Sequence, residues 1–236
     1  MSATRSTEWV RAVEPLTAHA ALLSDHHVHV WGTSLAVTTP TRDFLTGLLS
    51  PDERERASRF HFNRDRDRYV AARGRLRLLL GAYAGLAPAD LRFAYGAHGK
   101  PTLETSPAAA RLRFNLSHSG DLAVYAVALG RDVGIDVERL RPVPEMEDIV
   151  RRWFPEEDRR RYAAGAGGDR VRAFFAAWTR REALLKARGE GLSAFGNAGV
   201  EGWAIATLEP AHGYVAALAV AGDEPAIRSW WAEPLE

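Results

Sequence analysis

The sequence predicts an α+β fold with a weak internal duplication, coincidence between Arg-rich helices being the plainer alternative. Two similar halves, 1–130 and 131–236, each hold a small, mostly antiparallel sheet against one long helix. A duplicated pattern carries this reading. A Pro-opened acidic turn, a basic stretch and a long helix occur as "SPDERERASRF" then "RDRDRYVAARGRLRLLL". They recur as "FPEEDRRRYAA" then "GDRVRAFFAAWTRREALLK". Glycine-bounded apolar strands also recur, as "GDLAVYAVALG" and "GYVAALAVAG". Strands grouped around one long helix argue α+β.

The elements follow in order. Residues 1–20 lack periodicity and are expected to wrap or fray. "HVHVWGTSL" alternates as a strand, with His27, His29 and Trp31 on one face. Two histidines at i, i+2 can bind zinc, but no third ligand stands at a typical spacing, so a polar strand face is the preferred reading. Pro51 and Pro155 suit first helical turns, and the acids after them complement the helix dipole. The interspersed arginines after Pro51 read as a solvated face, with one or two pointing inward. "LRFAYG", "LRFNLS" and "LAVYAVAL" are strands of the first half. "DVGIDVERL", "EGWAIATLE" and "YVAALAVA" are strands of the second. "GAGG" at 165–168 is a loop, and 223–236 is another end without periodicity.

Composition bounds the function. With 46% apolar and 26% charged residues, the chain is an ordinary globular protein. A net charge of +1 gives no overall attraction to nucleic acid or membrane surfaces. There is no cysteine, which excludes disulfides, thiolate catalysis and cysteine metal sites. The start lacks a signal-peptide apolar core and no apolar run reaches transmembrane length, so a cytoplasmic protein is expected. Of 31 basic residues only Lys100 and Lys186 are lysine. Lysines that persist against such a bias fit positions where a compact ammonium serves better than a guanidinium fork; chance is the plainer alternative for two residues.

Four stretches could carry chemistry. In "VGIDVE", Asp136 and Glu138 share one strand face, roughly 7 Å apart at Cα. That spacing suits two ligands of a hard cation, with Gly134 leaving room for a ligand. Alone, the stretch reads equally well as a solvated face. In "WTRREALLKARGEGL", Trp178, Glu182 and Lys186 lie at i, i+4, i+8 on one helical face. That face continues through Val171, Phe174, Phe175 and Leu185. A carboxylate on such an apolar stripe needs a partner; an i, i+4 surface pair is the plainer alternative. "HGKPTL" is a turn carrying Lys100. "FNLSHSGD" offers Ser117, His118 and Ser119 as donors at a strand end, which is phosphate-binding chemistry. A serine hydrolase is disfavoured because G-x-S-x-G is absent.

Taken together, "SPDERERASRF", "GKP", "FNLSHS", "VGIDVE" and "FFAAWTRREALLKARGEGL" resemble the Sfp-type 4′-phosphopantetheinyl transferases, in family order over about residues 45–200. The resemblance implies a pseudo-dimeric fold, with nucleotide-binding contributions from 1–130 and a metal site and catalytic helix in 131–236. It implies a magnesium site of Asp136, Glu138 and Glu182. It implies that Lys186 meets the coenzyme A phosphates and assists the leaving group. Lys100 and Pro101 would border the adenine nucleotide. Ser117 and His118 would reach the phosphates, His118 towards the 3′-phosphate, and Arg56 and Arg68 would bind the nucleotide end. Two departures stand out. Arg181 replaces the usual lysine before the helix acid, and Glu53 replaces a basic residue found in some members.

The implied reaction moves 4′-phosphopantetheine from coenzyme A to a serine of an apo acyl, peptidyl or aryl carrier protein. It is Mg²⁺-dependent and releases adenosine 3′,5′-bisphosphate. Asp136, Glu182 and Lys186 would be the catalytic residues, with Glu182 or a metal-bound water as general base. By resemblance to the long-chain subgroup of that family, a monomer is implied. A Mg²⁺-dependent phosphohydrolase and a non-catalytic carrier-binding module are the alternatives. "RLRPVPEMEDIVRRWF" mixes Arg139, Arg141 and Arg151 with Leu140, Met146 and Trp153, which suits an acidic helical partner; an ordinary loop and amphipathic helix is the plainer reading.

Overall fold

The computed structural model describes residues 8–104, 109–191, 195 and 199–232. Four layers stack as helix, sheet, sheet, helix. The first sheet has the order β1–β10–β2–β6–β5, from Trp9–Arg11, Ala226–Trp231, His27–Ser34, Leu122–Leu129 and Leu112–Ser119. The second has the order β7–β9–β8, from Val133–Arg139, Tyr214–Ala221 and Trp203–Leu208. A two-stranded ribbon pairs β3 (Phe93–Tyr95) with β4 (Pro101–Leu103). The long helices are α4 (Asn63–Ala84) and α7 (Gly168–Arg188). Shorter helices are α1 (Leu16–Ala20), α2 (Thr39–Leu48), α3 (Pro51–Ser58), α5 (Met146–Trp153) and α6 (Glu156–Ala164).

Strand alternation sorts the layers. Val28, Val30, Leu122, Val124, Ala126 and Ala128 meet Val133, Ile135, Val137, Ala216, Leu218 and Val220 between the sheets. The opposite parity of the first sheet, including Trp31, Tyr125 and Val127, packs on α4. Val215, Ala217 and Ala219 of the second pack on α7. The continuous apolar runs of β6 and β9 follow from burial on both faces.

Two expectations change here. The C-terminal segment, expected to wrap or fray, wraps as a regular strand, β10, and it lies in the first half's sheet, parallel to β1 and β2. That sheet is therefore mixed, with only β2–β6 and β6–β5 antiparallel; the second sheet is wholly antiparallel. Likewise the 27–29–31 face of β2 is not a polar surface. His29 and Trp31 are fully buried against α4. Tyr83 OH bridges the two, at 2.7 Å from His29 Nδ1 and 3.0 Å from Trp31 Nε1, while His29 Nε2 is buried without a partner among the described residues. Periodicity fixed which side chains share a face but not which face meets the helix.

Two edge strands meet where the sheets abut. Three alternate side chains of β5 reach the backbone of β7. Asn115 Oδ1 accepts from Ile135 N at 2.9 Å, Ser117 Oγ from Val137 N at 3.4 Å and Ser119 Oγ from Arg139 N at 3.1 Å. The polar alternation of "FNLSHS" thus supplies partners that an unpaired edge would otherwise lack.

Candidate active site

The acids of β7 face α7, and Gly134 explains how closely that helix approaches. A Cβ at Gly134 would collide with Ala183 O and Ala187 N, and would lie 2.9 Å from Ala187 Cα. The glycine makes room for a helix, not for a ligand, which corrects the expectation. The close approach brings Glu182 and Lys186 beside Asp136. Lys186 Nζ donates to Asp136 Oδ1 at 2.6 Å and to Ser117 Oγ at 3.0 Å. Ser117 Oγ also donates to Asp136 Oδ1 at 2.8 Å. Ser117 is therefore engaged by the acid and the lysine, and is 7% exposed.

Asp136 is buried, and burial pushes its carboxyl up against the opposing pull of Lys186. Glu182 is raised by burial and then by Asp136. Asp136 Oδ2 and Glu182 Oε1 are buried without hydrogen-bond partners. Two carboxylate oxygens left so are costly unless a cation or donor reaches them. A hard, oxygen-seeking divalent ion fits this donor set. Glu138 is turned aside: Oε2 accepts from Ser119 Oγ at 2.8 Å and Arg141 NH1 at 3.0 Å. Accordingly, no three Asp, Glu or His side chains among the described residues are gathered closely enough to hold a metal ion.

Beside this cluster opens a cavity of about 330 Å³. Arg56, Lys100, Pro101, His118 and Lys186, all named from sequence, line it; Arg68 does not. Arg68 is paired with Asp121 in the β5–β6 turn, at 2.7 Å. His118 is exposed on the cavity wall and its pKa is lowered, by partial burial and then by Lys186 and Arg68. Lys100 Nζ donates to Ala187 O at 2.5 Å, tying the turn before β4 to the end of α7. There α7 stops on Gly189, whose φ of 69° favours glycine.

Sequence reasoning missed Tyr69, Arg73, Tyr95 and His98 in the cavity wall. "AYGAHGK" could have drawn attention to Tyr95 and His98 by its nearness to Lys100. Arg73 was hidden among the arginines of α4. The wall holds Arg56, Arg73, Lys100 and Lys186 against one acid, Glu190. Such a cavity attracts a polyanion.

Both halves of the chain match family models for this chemistry. Residues 132–228 match the 4′-phosphopantetheinyl transferase superfamily, and residues 38–129 match the 4′-phosphopantetheinyl transferase N-terminal family. The 4′-phosphopantetheinyl transferase HetI of Nostoc sp. is 37% identical over 221 residues, covering 88% of this chain and 93% of that protein. The chain belongs to the 4′-phosphopantetheinyl transferase family.

More distant relatives agree. The 4′-phosphopantetheinyl transferase Sfp of Bacillus subtilis is 29% identical over 62% of each chain. A human L-aminoadipate-semialdehyde dehydrogenase-phosphopantetheinyl transferase is 30% identical over 69% of this chain and 56% of that protein. The α+β architecture fits this transferase family.

Two further regions named from the sequence can be placed. Arg181 donates to Phe195 O at 2.6 Å and lines a separate pocket with residues of α6 and β8, not the cavity beside Asp136. The surface expected at 139–153 is partly core: Met146 is buried and Leu140 packs against the α7 core. Arg139, Arg151 and Trp153 remain exposed. No described helix is long and apolar enough to cross a membrane.

Proposed function

We propose that Asp136, Glu182 and Lys186 form the transfer centre of this enzyme, with Glu138 completing a Mg²⁺ site. The enzyme transfers 4′-phosphopantetheine from coenzyme A to carrier proteins, as its family does. The observation that carries the assignment is the pair of buried, unpartnered oxygens on Asp136 and Glu182, next to Lys186 in the lining of a cationic cavity. When bound, Mg²⁺ would neutralise the pyrophosphate and favour its cleavage. Asp136, Glu182 and, after turning from Arg141, Glu138 would hold it.

The chain's own residues do the rest. Arg56, Lys100 with Pro101, and His118 line the space for the nucleotide and its phosphates, while Arg68 acts from the rim through Asp121 and the turn beside His118. Ser117 fixes Asp136 and Lys186. A serine hydroxyl of the apo acyl or peptidyl carrier attacks the phosphorus on the pantetheine side and gives up its proton to the Glu182 carboxylate as general base. The bond to the nucleotide-side oxygen breaks, and adenosine 3′,5′-bisphosphate leaves. Lys186 sits where negative charge builds on the leaving group. In this division residues 1–130 serve the nucleotide and residues 131–236 the transfer. Because one chain completes the cavity, a monomer working in the cytoplasm is the assembly we infer. Family membership favours transfer over phosphohydrolysis or simple carrier binding.

The test is an incubation with coenzyme A, Mg²⁺ and an apo carrier protein, read as the carrier's intact mass. A phosphopantetheine adduct is expected, and it should vanish with Glu182→Ala while the fold persists. Coenzyme A breakdown without an adduct would support hydrolysis instead. Near-parent turnover by Glu182→Ala would remove that residue from the centre.

A further inference from the structure

A second buried charge cluster lies outside the transfer centre. Glu53, Arg73 and Arg77 are 2%, 7% and 1% exposed. Glu53 Oε1 accepts from Arg73 Nε, and Glu53 Oε2 accepts from Arg77 Nε at 2.6 Å and from Ser50 N at 3.0 Å. Burial opposes ionisation of Glu53, but Arg77 and Arg73 together hold its carboxyl below the usual range. The cluster therefore contains two cations and one anion. Asp52, the other carboxylate that senses both arginines, is exposed and bonded to Ser50.

The two arginines differ in their surroundings. Arg77 is enclosed by protein, with NH1 donating to Pro88 O at 2.8 Å and Leu91 O at 3.1 Å. Arg73 instead borders the cavity. Its NH2 donates to Tyr95 OH, and its guanidinium lies 4.3 Å over the Phe93 ring. Sharing Glu53 with Arg77 holds Arg73 in place without cancelling its charge. A nearly buried cluster with surplus positive charge is stabilised by an anion in the adjoining space.

The geometry points to Arg73 as a binding residue for the ribose phosphate of coenzyme A, with Glu53 as its positioning residue. This rests on the transferase reading above. Lys186, on α7, marks the end where the pyrophosphate is cleaved. Arg73 and Arg56 lie on the wall built by α3, α4 and β3. A nucleotide laid from Lys186 towards that wall carries one further phosphate, on its ribose. A guanidinium locked by Glu53, Tyr95 and Phe93 presents a fixed donor edge to such a group. Glu53 thus supplies the cavity with a cation indirectly.

The experiment uses the full chain without metal or carrier. Binding of adenosine 3′,5′-bisphosphate and of adenosine 5′-monophosphate is measured by calorimetry. The parent protein should prefer the bisphosphate. Arg73→Gln should cut that preference roughly 10- to 100-fold, in keeping with loss of a charge-assisted hydrogen bond, and leave monophosphate affinity nearly unchanged. Glu53→Gln should cut the preference less, and Arg73→Lys should fall between parent and Arg73→Gln. Melting curves report whether each variant folds. Should Arg73→Gln not fold, Arg73→Lys, which keeps a charge beside Glu53, decides. A preference unchanged from the parent in the deciding variant overturns the proposal. Failure of the transferase reading looks different: the parent then forms no carrier adduct with coenzyme A and Mg²⁺.

Discussion

The helices α4 and α7 occupy the same place in their halves, yet α4 buries three arginines beside its apolar side chains and α7 buries no charged side chain. Each lies on the outer face of its sheet and ends on a left-handed glycine, Gly85 or Gly189. On α4 the buried positions include Arg73, Arg75 and Arg77; on α7 they include Phe174, Phe175, Leu184 and Leu185. The charge clusters are inverted as well. In the first half one carboxylate, Glu53, is held by two arginines. In the second, the carboxylates Asp136 and Glu182 face one lysine. The first arrangement leaves surplus positive charge beside the cavity, and the second leaves carboxylate oxygens without partners. A duplicated frame can thus divide one reaction, with one copy suited to hold an anion and the other to hold a cation.

The sharpest way to break this contrast is to remove the lysine. Lys186→Met keeps the stem and deletes the charge; transfer to the carrier should slow by about 10²–10³-fold, seen in kcat. A loss confined to KM would make Lys186 a binding residue only. The packing side of the second half is tested by Gly134→Ala. The methyl would meet helix backbone, which has little freedom to yield, so stability should drop by about 3 kcal/mol or more in urea unfolding. Unaltered stability would mean that the helix can shift from the strand at little cost.

The first half predicts a pH effect. His29 is fully buried, and burial lowers its pKa from 6.5 to about 3. The folded state therefore favours the neutral ring, while the unfolded state takes up a proton near pH 6.5. This contribution is fully present above the unfolded pKa and is lost as pH falls towards the folded one. From linkage, stability should drop by about 2 kcal/mol between pH 7 and pH 5 on account of this residue. His29→Gln should flatten that slope in urea titrations; an equally steep slope would assign it elsewhere. The smallest effect belongs to Ser119→Ala. Releasing Glu138 from Ser119 should change the Mg²⁺ concentration for half-maximal transfer only a few-fold, by the loss of about 1 kcal/mol of hydrogen bonding.

Local pattern made much of this visible. Period-two alternation placed Asp136 and Glu138 on one face of β7, and the i, i+4 spacing placed Glu182 and Lys186 on one face of α7. The duplicated Pro-opened helices located α3 with α4 and α6 with α7. What stayed hidden depended on distant partners. β10 joins a strand some two hundred residues earlier, and no periodicity in 223–236 could reveal its parallel neighbours. Gly134 looked like ligand space because its face, but not its neighbour Ala183, could be read. Arg73 belonged to an arginine face read as solvated with one or two residues inward, but Arg73, Arg75 and Arg77 are all buried, and Glu53 and Phe93 enclose Arg73. Ser117 looked like a phosphate donor until Asp136 and Lys186 were seen to engage its hydroxyl.

The division of labour between the halves is tested most directly by steady-state transfer, followed as the carrier's intact mass, in Glu182→Gln and Arg56→Gln. Glu182→Gln should lose kcat by about 100-fold or more while KM for coenzyme A stays within a few-fold of the parent. Arg56→Gln should raise KM for coenzyme A about tenfold with kcat nearly unchanged. Near-parent kcat in Glu182→Gln, or an equally deep loss of kcat in Arg56→Gln, would contradict it.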